Sequence, residues 1–97
     1  MDKIEKRIDA VKKRIMALGP MRPGSLTRQS HGEAGGTYYS ASYTFRRRGH
    51  TDYVRKEDFP RVRKETENFK KFRELCDQLV ELSIIWSKSK NTPRNDK

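Results

Sequence analysis

The chain has little material for chemistry that depends on thiols or imidazoles. Its 97 residues include one cysteine, Cys76, and two histidines, His31 and His50. One thiol cannot close a disulfide within the chain, and three such side chains are too few for a four-ligand zinc site. We therefore expect no metal and no other cofactor. The scarcity of cysteine also favours a reducing, cytoplasmic setting.

Apolar residues are scarce as well. Hydrophobic residues make up 32% of the chain and charged residues 37%. The N-terminal segment MDKIEKRIDAVKKRI carries charges throughout, without an apolar block of signal-peptide length. We expect neither secretion nor a membrane span. A short chain with so few apolar residues is expected to form one small domain, residues 1–90, with a thin core.

The residue pattern does not indicate an enzyme. Neither histidine lies beside an acidic cluster, and Cys76 falls on the inward side of a predicted helix rather than beside a base. The glycines of residues 19–36 lack the strand, lysine and helix that accompany a phosphate-binding loop. The tyrosines are better suited to strand packing, with one face open for stacking on bases.

Periodic patterns predict two helices and a β-hairpin. Residues 2–18 carry a three-four apolar seam from Ile4 to Leu18, and Gly19-Pro20 marks the end of that helix. Residues 19–36 are predicted to be an irregular loop. Residues 37–55 are predicted to be a hairpin, in which TYYSASYTF alternates, RRRG turns and a second strand starts at His50. A long helix is predicted over residues 57–90, followed by a disordered tail over 91–97.

The expected fold class is α+β: an N-terminal helix, a two-stranded antiparallel hairpin and a long C-terminal helix. The helices are expected to pack as an antiparallel pair or coiled coil within an oligomer. The first helix is too short to cover all of the second, so a homo-oligomer interface is predicted at Leu75, Leu79, Leu82 and Trp86. In the alternative, the long connection shifts the first helix outward, and that helix covers this seam within the same chain.

Basic residues are concentrated near the hairpin. The formal net charge is +10, which favours polyanionic partners. Residues 61–73 hold six basic and two acidic residues, whereas residues 74–87 hold three acidic and no basic ones. Positive charge in the first turns of a helix opposes its macrodipole. The simpler explanation is that these side chains only keep a helix face soluble.

We predict that the basic residues bind the phosphates of DNA or RNA, because a guanidinium can bond two phosphate oxygens. The predicted contacts are Arg46, Arg47, Arg48, Arg55, Arg61, Arg63 and Lys64, with Lys70, Lys71, Arg22 and Arg28 as secondary contacts. The second hypothesis is an adaptor or inhibitor that binds an acidic surface of a larger protein. Association with an anionic membrane is weaker, since neither helix pairs a wide aromatic face with a basic one.

Four segments carry a resemblance to a known family. In order, they are MRPGSLTRQ, TYYSASYT, YVRKED and RKETENFKKFRELCDQLVELS, lying between residues 21 and 83. The chain resembles a family of short bacterial proteins of unknown function that are often encoded near transposases and other mobile elements. Many relatives have a short cysteine cluster before the hairpin, where this chain has SHGEAGG, so any metal role does not carry over. The resemblance implies a mobile-element or phage context, with a partner from the same locus.

Overall fold

The computed structural model describes residues 2–30 and 37–92. It contains helix α1 (Lys3–Ala17), strands β1 (Ser25–Ser30), β2 (Thr37–Phe45) and β3 (Arg48–Val54), a 3-10 turn (Lys56–Asp58) and helix α2 (Phe59–Ser89). The α+β class and the order of helix, antiparallel strands and long helix are confirmed. Residues 31–36 of the predicted loop and residues 93–97 of the predicted tail lie outside the described residues.

Two compact units make up the chain. The helical unit comprises Met1–Leu18 and Phe72–Lys97, and the sheet unit comprises Gly19–Lys71. Helix α2 contributes residues to both units. Among the described residues, no helix combines the length and apolar character that a membrane span requires.

Helix α1 begins at a side-chain cap. The Asp2 carboxylate accepts a hydrogen bond of 2.8 Å from the backbone N–H of Glu5. This bond, assisted by the ammonium of Lys90, lowers the pKa of Asp2 below its ordinary value. The helix ends at Ala17, where Leu18 turns to extended backbone. The predicted range of residues 2–18 differs from the observed helix only at the capping residues.

In the helical unit, α1 runs antiparallel to the C-terminal part of α2. Near one end of α1, the Trp86 indole N–H donates to Glu5 Oε1 at 3.1 Å. Further along, Val11 and Leu82 are buried and line a common groove. Leu82 is thus buried against α1 within the chain, and Trp86 is half-buried beside it. The oligomer interface at Leu75, Leu79, Leu82 and Trp86 stays a prediction. The position of α1 along α2 determines which residues of the apolar seam it contacts.

The sheet has three strands rather than the two predicted, in the order β1-β2-β3. Strand β1 occupies residues that were expected to be irregular. It pairs antiparallel with β2, with Leu26 opposite Ala41 and Thr27 opposite Ser40. The segment SLTRQS has one large apolar residue, so it shows no clear alternation by itself. Pairing with the edge of β2 gives its backbone groups their partners.

The turn of the hairpin is shorter than predicted. Phe45 pairs with Arg48 and Thr44 pairs with Gly49, so only Arg46 and Arg47 lie in the turn. Their φ angles are 53° and 65°. Positive φ at both central residues defines a type I′ turn, which usually takes Asn-Gly. The prediction that the turn includes the glycine was wrong, since Arg48 and Gly49 belong to β3.

The N-terminal part of α2 packs on one face of the sheet. Ala41, Val54 and Val62 form a small buried cluster, and Tyr39 and Phe59 pack against it with ring centroids 4.2 Å apart. Helix α2 begins at Phe59, later than the predicted residue 57, because Glu57 and Asp58 lie in the preceding 3-10 turn. The core of the sheet unit is thus thin.

Candidate nucleic-acid interface

The two faces of the sheet differ in chemistry. Residues directly opposite each other on neighbouring strands share a face. The inner face carries Leu26, Ala41 and Val54, and it packs against α2. The other face, here called the outer face, has alternating residues of all three strands. It comprises Ser25, Thr27 and Gln29 of β1, Tyr38, Ser40, Ser42 and Thr44 of β2, and Gly49, Thr51 and Tyr53 of β3.

The hairpin tip presents three consecutive arginines. Arg46, Arg47 and Arg48 are exposed, and none forms a salt bridge with another described residue. The guanidinium carbon of Arg46 lies 5.1 Å from the centroid of the Phe45 ring. A left-handed backbone is costly for residues with a Cβ, at roughly 1–2 kcal/mol each. The turn therefore holds two arginines where residues that adopt positive φ at lower free-energy cost, such as Asn and Gly, are usual.

Aromatic side chains support the tip on the inner face. The rings of Tyr43 and His50 are stacked, with centroids 4.9 Å apart and planes 18° from parallel. Their residues are directly opposite each other on β2 and β3. A stacked pair at this position holds the two strands together two residues away from the Phe45–Arg48 pair, and so stabilises the adjoining turn.

Arg22 has a different role from the tip arginines. Its Nη2 lies 3.0 Å from Asp52 Oδ2, and its Nε donates to the carbonyl oxygen of Pro23 at 3.1 Å. Its guanidinium carbon also lies 5.1 Å from the centroid of the Tyr43 ring. Only 26% of the side chain is exposed. Arg22 was predicted as a secondary phosphate contact, but its partners within the chain fasten the connection before β1 to the sheet.

The predicted phosphate contacts on α2 fall into two sets. Arg61 pairs with Asp58 and Glu65, and Arg63 pairs with Glu67. The other set has no salt bridge with a described residue and is exposed: Lys64, Lys70 and Lys71. Part of the predicted positive surface is therefore balanced by neighbouring carboxylates.

Helical geometry places several of these residues away from the sheet. Val62 and Thr66 are buried on the side that faces the sheet. At about 100° per residue, positions 64 and 71 lie on the opposite side of the helix, whereas positions 63 and 70 lie on its flanks, within about 80° of the sheet-facing side. Lys64 and Lys71 are therefore directed away from the sheet.

Two predicted contacts lie outside these groups. Arg55 directly follows β3, with extended backbone at φ −66° and ψ 150°. Alternation along the strand therefore places it on the same side as Tyr53. Arg28 lies on β1 opposite Tyr39, on the inner face, and is exposed. Neither arginine has a salt bridge with a described residue.

The outer face carries hydroxyl and amide groups but no charged side chain. The hydroxyl oxygens of Thr27 and Ser40 are 2.8 Å apart, and the Tyr38 hydroxyl donates to the side-chain oxygen of Gln29. The Tyr53 ring meets the Tyr38 ring edge-on, with centroids 5.6 Å apart. Tyr53 is 81% exposed. Alternation indicated the contribution of β2 to this face, but that of β1 was missed because β1 itself was not predicted.

Metal ligands are not grouped in the part of the chain that the structure describes. Residues 2–30 and 37–92 contain no cluster of three or more His, Cys, Asp or Glu side chains that could hold an ion. Cys76 is half-buried and is not in a disulfide. His31, the other soft ligand near the hairpin in sequence, lies outside the described residues.

Comparisons with protein-family models, curated proteins and solved structures give no match to this chain. The resemblance to mobile-element-associated proteins therefore stays a prediction.

Proposed function

We propose that this chain is a non-enzymatic nucleic-acid-binding accessory protein that contacts the phosphate backbone through the arginines of its hairpin tip. The observation that supports this proposal most strongly is that Arg46 and Arg47 adopt positive φ angles, 53° and 65°. A turn selected only for stability would favour Asn-Gly here. Arginine at both positions, followed by Arg48, is better explained by a need for exposed guanidinium groups.

Charge and shape both suit a phosphate backbone. Each guanidinium is a planar fork that can bond two phosphate oxygens, and a two-stranded ribbon is narrow enough to enter the major groove of DNA. The formal net charge of +10 adds attraction at a distance. Lys64, Lys70 and Lys71 of α2 would supply additional phosphate contacts. A mobile-element or phage-related setting, which the sequence resemblance implies, is part of this proposal.

The test compares two triple variants that each lose three positive charges. One is Arg46→Ala/Arg47→Ala/Arg48→Ala at the tip. The other replaces Lys12, Lys13 and Arg14 of α1 by alanine, and these three residues are exposed in the helical unit. Binding to labelled duplex DNA, single-stranded DNA and structured RNA is measured by anisotropy at low salt. We expect the tip variant to bind all three more weakly, irrespective of sequence, and the α1 variant to bind nearly as wild type.

Two results would contradict the proposed contact. Unchanged affinity of the tip variant would reject the hairpin as the binding element. Equal losses in both variants would show that the affinity depends on total charge rather than on the hairpin.

An exposed apolar strip supports a second candidate, the protein-interaction adaptor or inhibitor. Val80 is 58% exposed and Ile84 is 49% exposed, and both line a shallow groove on α2 with Leu79. Such side chains are common in protein interfaces. A chain that is monomeric by light scattering but forms a defined complex with a protein from the same locus would favour the adaptor. A stable homo-oligomer would instead assign the strip to self-association.

A further inference from the structure

The outer face of the sheet has a composition unlike that of the whole chain. Charged residues make up 37% of the sequence, yet none of the ten outer-face positions is charged. The positions carry hydroxyls, the Gln29 amide, two tyrosine rings and one glycine. Charged residues are mostly exposed in folded proteins, so a solvent-exposed sheet face commonly includes some of them, and this face has none.

Arginines stand at both ends of this uncharged face. Arg46 and Arg47 form the turn at one end of β3, and Arg55 follows its other end on the side of Tyr53. Strand β3 has seven residues. At about 3.3 Å per residue, the two ends are roughly 23 Å apart. A binding site of about four nucleotides fits a surface of this size.

This pattern of charge matches a nucleic-acid strand with unpaired bases. Bases are uncharged, have hydrogen-bonding edges and offer flat faces for stacking, whereas phosphates are anionic. From this complementarity we infer that the outer face binds the bases of single-stranded nucleic acid, with Tyr53 as the stacking ring. Arg47 and Arg55 would hold the flanking phosphates. The inference rests on the proposed function and names the form of nucleic acid that this chain takes.

Tyr53 is well placed for stacking. Its side chain is 81% exposed, and Tyr38 contacts it at an angle of 63° between the ring planes. The Tyr38 hydroxyl is itself fixed by Gln29. Tyr38 therefore supports the Tyr53 ring from one side and leaves a ring face open. The faces of bases inside a duplex are already stacked on each other, so Tyr53 would add affinity for single strands only.

The experiment separates stacking from phosphate binding. Tyr53→Leu removes the ring, and the matched control Tyr53→Phe keeps it. Each is titrated with a 12-nucleotide oligothymidine, a 12-nucleotide oligouridine and a 12-base-pair DNA duplex, after circular dichroism has confirmed the fold. We expect Tyr53→Leu to weaken single-strand binding by about five- to a hundredfold. Duplex binding should stay within about twofold, and Tyr53→Phe should bind as wild type.

The outcomes distinguish this inference from the proposed function. Tyr53→Leu with unchanged single-strand affinity, or with equal losses on single strand and duplex, overturns the inference. If the tip variant still weakens binding in that case, the proposed function stands. If wild type binds neither oligonucleotides nor duplex at low salt, both fail.

A photochemical experiment locates the bases directly. An oligothymidine containing 5-iodouracil is irradiated in complex with the wild-type protein, and the product is digested with trypsin. Residues 49–55 form one tryptic peptide, with Tyr53 as its only tyrosine. We expect this peptide to carry the nucleotide. Crosslinks confined to peptides of the helical unit would overturn the inference.

Discussion

Exchanging the turn residues Arg46 and Arg47 for Asn-Gly should raise stability and lower nucleic-acid affinity together. Both arginines have a left-handed backbone, at φ 53° and 65°. Glycine at position 47 removes a steric cost of roughly 1 kcal/mol, and asparagine at position 46 removes a smaller part. The exchange also loses the contact of Arg46 with the Phe45 ring, which at this exposed site is worth about 0.5 kcal/mol. The expected net gain is about 1 kcal/mol in the free energy of unfolding.

The assay is thermal and urea unfolding followed by circular dichroism, beside the binding titration. A gain of about 1 kcal/mol raises the melting temperature of a domain this size by roughly 4–8 °C. The control, Arg46→Lys/Arg47→Lys, keeps both the charge and the backbone cost, so its stability should match wild type. An Asn-Gly variant that is no more stable than wild type would refute the argument that the turn is costly. Undiminished binding by that variant would refute the reason given for the arginines.

Three further predictions test other parts of the structure. Arg22→Ala should lower the free energy of unfolding by about 2 kcal/mol in urea titrations, because the ion pair with Asp52, a backbone bond and a ring contact are lost together; wild-type stability would contradict this role. Gly24→Ala should cost about 1–2 kcal/mol, since Gly24 has φ 158° and a Cβ there meets two side-chain carbons at 3.4 Å. In the control Gly49→Ala, the added Cβ meets no atom within 4 Å, so the free energy of unfolding should not change. Equal destabilisation by Gly24→Ala and Gly49→Ala would contradict the role given to Gly24. The lowered pKa of Asp2 means that its cap is fully effective above its ordinary pKa of 3.8 and is lost as pH falls through the lowered pKa. Asparagine at position 2 also caps the helix but does not titrate. The free energy of unfolding of Asp2→Asn should therefore fall less steeply with decreasing pH than that of wild type. Identical pH dependence in the two proteins would contradict this role of Asp2.

Local periodicity was enough to predict most of the elements. The seam from Ile4 to Leu18 predicts α1, and alternation in TYYSASYTF predicts β2. These patterns arise from burial of one side of a single element, so they can be read without knowing the rest of the fold. Gly19-Pro20 likewise marks a boundary through its own backbone preferences.

The features that sequence reasoning missed depend on distant residues. Strand β1 forms against β2, with Leu26 as its one large apolar residue, so no local pattern reveals it. The outer face could not be completed without β1. The position of α1 along α2 is likewise fixed by packing between segments far apart in sequence. This position determines that α1 buries Leu82 and contacts Trp86 within the chain.

For the candidate site, charge in the sequence identifies basic residues but does not show where they lie in the fold. The run RRRG indicated a turn, but its glycine was misleading because the strand pairing places Gly49 in β3. Charge alone grouped Arg22 with the tip arginines, whereas the structure gives its guanidinium three partners within the chain. Sequence can thus nominate basic residues. Only the three-dimensional structure separates basic residues that form contacts within the chain from basic residues that are exposed to solvent.

The salt dependence of duplex binding shows whether the hairpin tip contacts phosphates. The affinity for a DNA duplex is measured from low to moderate salt for wild type and for Arg46→Ala/Arg47→Ala/Arg48→Ala. If the tip binds phosphates, log K falls linearly with log salt concentration, and the variant loses about 0.9 of slope for each contact removed, or roughly 2–3 in total. An equal slope in wild type and variant would contradict the account.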